Sequence, residues 1–269
     1  MLGLKKENDH YIFEAAIRTE QLFLNLYHKN RRVRQIAFDP ADRIGDVWHL
    51  ELPVTSRSRS GEGDACREAA GAADTQARVH EKRQPASAIP LTELSYCYEA
   101  DGRIFTDPNG TVFEGRKSFG NLKDGTRILK TPIGEATAIP ESSEAWRQDR
   151  ALDLPYEDSI IYRLHVRGFT KDGSSRVKNK GTFRGVIEKI PYLKELGINA
   201  VELMPSYEFF EWTSLTEPAY VYPAPAEEKR VNYWGYGTKA LYFAPKASYA
   251  ASSDAVAEFA EMVDALHDN

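Results

Sequence analysis

Residues 159–205 constrain the fold of this chain more than any other stretch, because they alternate strand, helix and strand. Ser159-Ile-Ile-Tyr-Arg-Leu-His-Val166 is a strand-like run. Apolar residues then recur at 183, 186, 187, 190, 193 and 196, the spacing of one helical face, and Gly197 ends the run. Ile198-Asn-Ala-Val-Glu-Leu-Met204 is the next strand, closed by Pro205. This order predicts a βαβ unit with a right-handed crossover and parallel strands. Parallel strands are normally covered on both faces and have neighbours along their edges, so this region is expected to expose apolar surface and open strand edges. Pro191 should kink the helix or open its second piece. A long connection, Glu208 to Pro245, leads to a last helix, with Ser253 as its expected cap and Val256, Phe259, Val263 and Leu266 as its buried stripe.

Upstream, from Tyr11 to about Asn121, the period changes to two. Tyr11–Ile17, Leu22–Tyr27, Gln35–Phe38, Asp46–Leu52, Leu94–Tyr98, Gly102–Phe105 and Gly110–Phe113 are short strand-like runs separated by turn formers such as Asp107-Pro-Asn-Gly110. Leu22, Leu24 and Leu26 share one face, as do Trp48, Leu50 and Leu52, so Trp48 is expected in the core rather than on a ligand face. An all-β, immunoglobulin-like antiparallel sandwich fits this rhythm. Residues 55–88 interrupt it. They are rich in Ser, Arg, Ala, Glu and Gly and nearly free of large apolar groups, which predicts a disordered insertion between two strands.

Composition excludes several classes of function. The formal net charge of −5 gives no electrostatic support for a nucleic-acid partner. No apolar run reaches the ~18 residues of a membrane span, and the start lacks the apolar core of a signal peptide, so the expected compartment is cytoplasmic, with no membrane partner. Cys66 and Cys97 lie far apart without a C-x-x-C, which excludes a disulfide framework. His10, His28, His49 and His80 show no metal-ligand spacing, and no metal or other cofactor is expected.

Ile160-Ile-Tyr-Arg-Leu-His-Val-Arg-Gly-Phe-Thr170, Gly181-Thr-Phe183, Tyr192–Pro205, Asn232-Tyr-Trp-Gly-Tyr236 and Phe243-Ala-Pro-Lys246 together resemble the opening of the catalytic barrel in glycoside hydrolase family 13. The wording is similar to type I pullulanases, isoamylases and bacterial glycogen debranching enzymes. Phe38-Asp-Pro40, Asp46-Val-Trp48, Asp107-Pro108 and Gly115-Arg-Lys117 resemble the β-sandwich module that precedes that barrel. The resemblance implies a multidomain chain: a glycan-binding-module type of sandwich over 1–121, a linker over 122–154, and over 155–269 the incomplete start, the first two βα units, of a (β/α)8 TIM barrel. Such a barrel takes about 250 residues, whereas Ser159 to Asn269 is 111.

The implied reaction is hydrolysis of α-1,6 branch linkages in α-glucans such as glycogen, pullulan or branched maltodextrin, with retention and two carboxyl groups. In the family these groups follow later strands of the barrel, so no catalytic residue is assigned here and the 269 residues are expected to be inactive alone. Possible partners are therefore the α-glucan and the remainder of the barrel. A non-catalytic α-glucan-binding or regulatory protein and a part of a glycogen branching enzyme are the alternatives.

The resemblance implies that Tyr236 stacks on a sugar, since an aromatic ring suits the flat apolar face of a pyranose. Trp234 and Asn232 are the further substrate-binding candidates, although Asn232 is better read as bonding backbone. His165 and Arg167 are expected to give structural support. Glu202 is expected to pair internally. Glu208 and Glu211 are read as solvated loop charges.

Overall fold

The computed structural model describes residues 2–54, 89–114, 118–120, 129–136, 154–213, 230–236 and 240–269. The expected insertion at 55–88, Cys66, the motif at 115–117 and most of the expected linker lie outside these residues.

The first region is built from β1 (Gly3–Glu7), β2 (His10–Ala16), β3 (Leu22–His28), β4 (Arg31–Ala37), β5 (Val47–Pro53), β6 (Ser95–Ala100), β7 (Arg103–Phe105) and β8 (Thr131–Pro132). One antiparallel sheet runs β1-β2-β5, and the other runs β4-β3-β6-β7 with β8 also pairing β6. Alternation decides which side chains meet. Tyr11, Phe13 and Ala15 lie opposite Leu52, Leu50 and Trp48 in register, and Leu22, Leu24 and Leu26 lie opposite Ala100, Tyr98 and Tyr96. These two inner faces make one core, in which Phe13 meets Tyr96 edge to face at 5.0 Å and Phe38 meets Trp48 at 6.4 Å. Trp48 is fully buried and its indole N–H donates to the Ile17 carbonyl, in keeping with a core role.

Two details of the sequence reading change here. Gly110–Phe113 forms no strand. It follows the Asp107 turn, and the Phe113 ring lies so close to Gly110 that a side chain there would collide with it. Residues 129–136 fall within the expected linker, yet Leu129 and Ile133 are fully buried, β8 extends the sandwich sheet, and a short helix α1 (Ile133–Ala136) follows.

The second region contains β9 (Ile161–Leu164), α2 (Val166–Lys171), α3 (Phe183–Ile187), α4 (Ile190–Glu195), β10 (Ala200–Leu203), β11 (Tyr207–Phe209), β12 (Trp212–Thr213), β13 (Arg230–Val231), β14 (Ala240–Pro245) and α5 (Ala255–His267). β9 and β10 are parallel, as the βαβ reading requires, with Arg163 beside Glu202 in register. The helical run breaks at Glu188-Lys189, and Pro191 stands at the start of the second piece. That position suits proline because its missing N–H would have had no helical partner.

The stretch read as one long connection contains two antiparallel pairs, β11 with β14 and β12 with β13. The cap of α5 is Asp254, whose carboxylate accepts from the Ala257 N–H, rather than Ser253. Met262 and Glu258 are the deeply buried positions of that helix, while Val256, Phe259, Val263 and Leu266 are only partly covered.

Candidate functional site

The segment Asn232–Tyr236 lies against the C-terminal ends of β9 and β10. Its fastening begins with His165, the residue after β9, which caps α2: the Gly168 N–H donates to Nδ1 at 2.9 Å. The proton therefore sits on Nε2, 2.9 Å from the Tyr233 carbonyl and 3.0 Å from the Tyr249 hydroxyl. The Tyr233 ring stacks on the imidazole at 4.8 Å and 12°. Burial, the dominant influence, lowers the His165 pKa, the Arg167 charge adds to this, and the bond to the Tyr233 carbonyl opposes it. A neutral imidazole is what this doubly bonded role requires.

Asn232 closes the segment on itself. Its side chain accepts from the Gly235 N–H and donates to the Tyr236 carbonyl, both at 3.0 Å. Gly235 has φ +79°, and a Cβ there would meet the Phe209 ring at 2.5 Å and Pro205 at 2.8 Å, so only glycine lets the turn lie this close. The result is a rigid turn that presents two aromatic rings outward. Trp234 is 55% exposed and Tyr236 49%. Tyr236 is steadied from one side by Arg163, which donates to its hydroxyl and lies 5.9 Å from its ring, while Glu202 holds Arg163 at 3.3 Å.

Beneath the turn is a group of buried charges. Lys246 Nζ lies 3.0 Å from Glu208 Oε1 and 2.8 Å from Glu211 Oε1, and all three side chains are almost fully buried. The surplus acceptor capacity is met by the Ala247 N–H on Glu208, and by the Ser248 hydroxyl and Gly120 N–H on Glu211. The ammonium also lies 4.0 Å from the Phe209 ring centre and within 6 Å of Phe119 and Tyr249. Phe119 in turn stacks on Tyr249 at 6.0 Å and lies under Arg167 at 4.8 Å.

No family model matches the chain. Relatives of known identity do. Isoamylase 1, chloroplastic, of Arabidopsis thaliana is 32% identical over 89% of the chain, which spans 28% of that protein. A glycogen operon protein GlgX homolog of Mycobacterium bovis is 30% identical over 85% of the chain, which spans 30% of that protein. The pullulanase of Paenibacillus barengoltzii, solved in complex with maltohexaose and α-cyclodextrin, superposes over the whole chain with a TM-score of 0.64 at 19% identity. The chain covers 36% of that structure. This chain belongs to the debranching group of glycoside hydrolase family 13. It spans less than a third of the length of each of these two relatives, and the pullulanase likeness is one of fold.

Within this debranching relative, the three candidate substrate residues come together on one turn, two as exposed rings and Asn232 as the brace that shapes it. His165 supports that turn, and Arg167 lies over the Phe119 ring that packs on Tyr233. Glu202 pairs with Arg163, as expected, but on an exposed surface. The expectation for Glu208 and Glu211 is corrected: they are buried and share an ammonium, because β11 and β14 bring Lys246 between them. Arg163, Phe119, Tyr249 and Lys246 carried no functional expectation from the sequence. The available signal was placement: Glu208-Phe-Phe-Glu211 and Phe243-Ala-Pro-Lys246 put isolated charges against bulky apolar residues, where unpaired burial would be prohibitive. Among the described residues, no group of three or more His, Cys, Asp or Glu could hold a metal, and no helix is long and apolar enough to cross a membrane.

Proposed function

We propose that this chain is part of an α-glucan debranching enzyme that hydrolyses α-1,6 branch linkages with retention. In this reading 1–121 is an accessory β-sandwich, 122–154 is the linker, from which β8 joins the sandwich sheet, and 155–269 supplies the first two βα units of a (β/α)8 barrel in a cytoplasmic protein. The observation that carries it is the outward pair Trp234 and Tyr236 on a braced turn at the C-terminal ends of β9 and β10, the end of a parallel sheet where such enzymes gather their ligand contacts. Tyr236 stacks on a glucosyl ring, Trp234 extends that surface along the chain, and Asn232 holds both in register.

These residues bind and orient; they do not cleave. Retention needs one carboxyl group to attack the anomeric carbon and a second to protonate the departing oxygen. Glu202 is exposed but tied to Arg163, and Glu208 and Glu211 are turned inward on Lys246. The nucleophile and the acid are thus assigned to parts of a complete barrel beyond these residues, and the 269-residue polypeptide is expected to be inactive by itself.

Affinity electrophoresis in gels containing glycogen tests the binding. The chain should be retarded, and Tyr236→Ala should remove most of the retardation. Retardation equal in the variant and the parent would refute the assignment of Tyr236. Release of reducing ends from pullulan in proportion to the concentration of purified chain would refute the assignment of the chemistry elsewhere.

A further inference from the structure

We propose that Glu211 is a positioning residue that couples the segment leaving the sandwich to the aromatic turn 232–236. The inference rests on the reading above only in calling that turn a glucan contact. Glu211 is bonded in both directions. Its side chain takes the Gly120 N–H on one oxygen, and the Lys246 ammonium and Ser248 hydroxyl on the other. Its backbone carbonyl takes the Asn232 N–H at 2.6 Å, the bond that starts the turn. One residue thus fastens residue 120 with its carboxylate and residue 232 with its main chain.

The neighbouring side chains repeat this bridge. Phe119 packs edge to face on Tyr233 at 5.8 Å and flat on Tyr249 at 6.0 Å, while the Tyr249 hydroxyl reaches His165, whose ring carries Tyr233. On the sandwich side, Phe113 and Leu129 share a buried cluster with Phe210, the residue just before Glu211, and with Leu241 and Ala244 of β14. Phe209 joins the cluster below the turn and Phe210 joins the one below the sandwich segment. The link between β11 and β12 that carries Glu211 is therefore the place where both regions are held.

A buried carboxylate is a stiff connector, because its bonds have no water to exchange with and moving it would strand the Lys246 charge. Docking of the sandwich segment would then stiffen the turn, and loosening that segment would let Trp234 and Tyr236 wander. A residue that merely filled space would not transmit this.

Hydrogen exchange of the full chain, read by mass spectrometry without ligand, tests the coupling. Glu211→Gln should speed exchange in peptides covering 232–236 about tenfold, and Phe119→Ala, on the far side of the joint, should do the same, while strands β2, β3 and β6 keep their protection. Tyr236→Ala should leave exchange at 118–120 unchanged. Should Glu211→Gln fail to fold, Ser248→Ala removes one bond from the same oxygen and should produce a smaller rise, about threefold, in the same peptides. Unchanged exchange at 232–236 in a folded Phe119→Ala or Ser248→Ala chain would overturn the proposal. Because this readout needs no sugar, a parent chain that fails to bind glycogen would defeat the functional reading and leave the coupling to stand or fall separately.

Discussion

The two regions of the molecule differ in how completely they bury their large apolar residues. In the sandwich the large hydrophobic residues are inside: among the described residues Ile44 is the one exposed large hydrophobic before residue 154. After that point Ile160, Ile161, Tyr192, Leu196, Trp234, Tyr236, Tyr242 and Phe243 all lie substantially exposed, whereas Glu208, Glu211, Lys246 and Glu258 are buried. Two sheets that face each other can remove both inner faces from water. A two-stranded parallel sheet cannot, since it offers two faces and two edges with too few elements to cover them. Each exposed side chain of this size forgoes about 1.5–3 kcal/mol of burial. The second region keeps a smaller apolar core around Phe183 and Tyr249 and adds buried charges and ring contacts to it.

The contrast can be broken at its largest effects first. Trp48→Ala should destabilise the sandwich by about 3–5 kcal/mol, the usual loss for a fully buried indole, with urea-induced loss of near-ultraviolet ellipticity as the measurement. Lys246→Met should destabilise the second region by a similar amount, about 3–5 kcal/mol, because it strands two buried carboxylates. The neutral combination Glu208→Gln, Lys246→Met, Glu211→Gln should restore much of that loss. If the single Lys246→Met change were harmless, the buried charges would not help to hold the second region.

Acid should separate the regions by sign. Burial lowers the His165 pKa below its ordinary 6.5, so the stability that neutral His165 contributes is present above 6.5 and lost as pH falls through its lowered folded value. Burial raises the Asp107 pKa above 3.8, so its contribution is present below 3.8 and lost as pH rises through its raised folded value. Glu14, lowered chiefly by its bond to Lys5, adds a slope opposite to that of Asp107 within the sandwich. Each dependence is therefore read against its own variant. Between pH 7 and 5 the protection of α2 and the 232–236 turn should fall more in the parent than in His165→Gln. The stability difference between the parent and Asp107→Asn should favour the parent increasingly as pH falls. Parallel behaviour of parent and variant in either case would remove that group from the account.

The smallest effect sharpens the surface side of the comparison. Arg163→Ala removes an exposed ion pair with Glu202 and should change stability by less than about 1 kcal/mol, yet it frees the Tyr236 ring and should alter retardation in glycogen. A large loss of stability would mean that Arg163 holds the fold rather than the ring.

Much of the scaffold was legible because local periodicity is short-range physics. The alternation of Leu22, Leu24 and Leu26 placed them in one core, and Pro191 was readable as the start of a second helical piece, since a missing N–H is tolerated there and not further on. Ser253 was a reasonable cap by residue type, but Asp254 has the geometry, and capping is decided by one residue's backbone angles. The turn 232–236 was legible as a site candidate through its resemblance and its rings. Of its anchors, His165 was expected as structural support, whereas Phe119 and Tyr249 were not legible, because they are brought together across more than a hundred residues of chain.

The amino-acid order by itself determined the alternating sandwich strands whose inner faces turn inward and the βαβ unit whose strands β9 and β10 run parallel, since each follows from the spacing of neighbouring residues. Only the tertiary structure decided that Glu208, Glu211 and Lys246 share one dry site and that Glu211 reaches both residue 120 and residue 232. A charge is indifferent to its position in the sequence; what makes it a solvated loop residue or a buried link is which distant groups pack around it and shut out water.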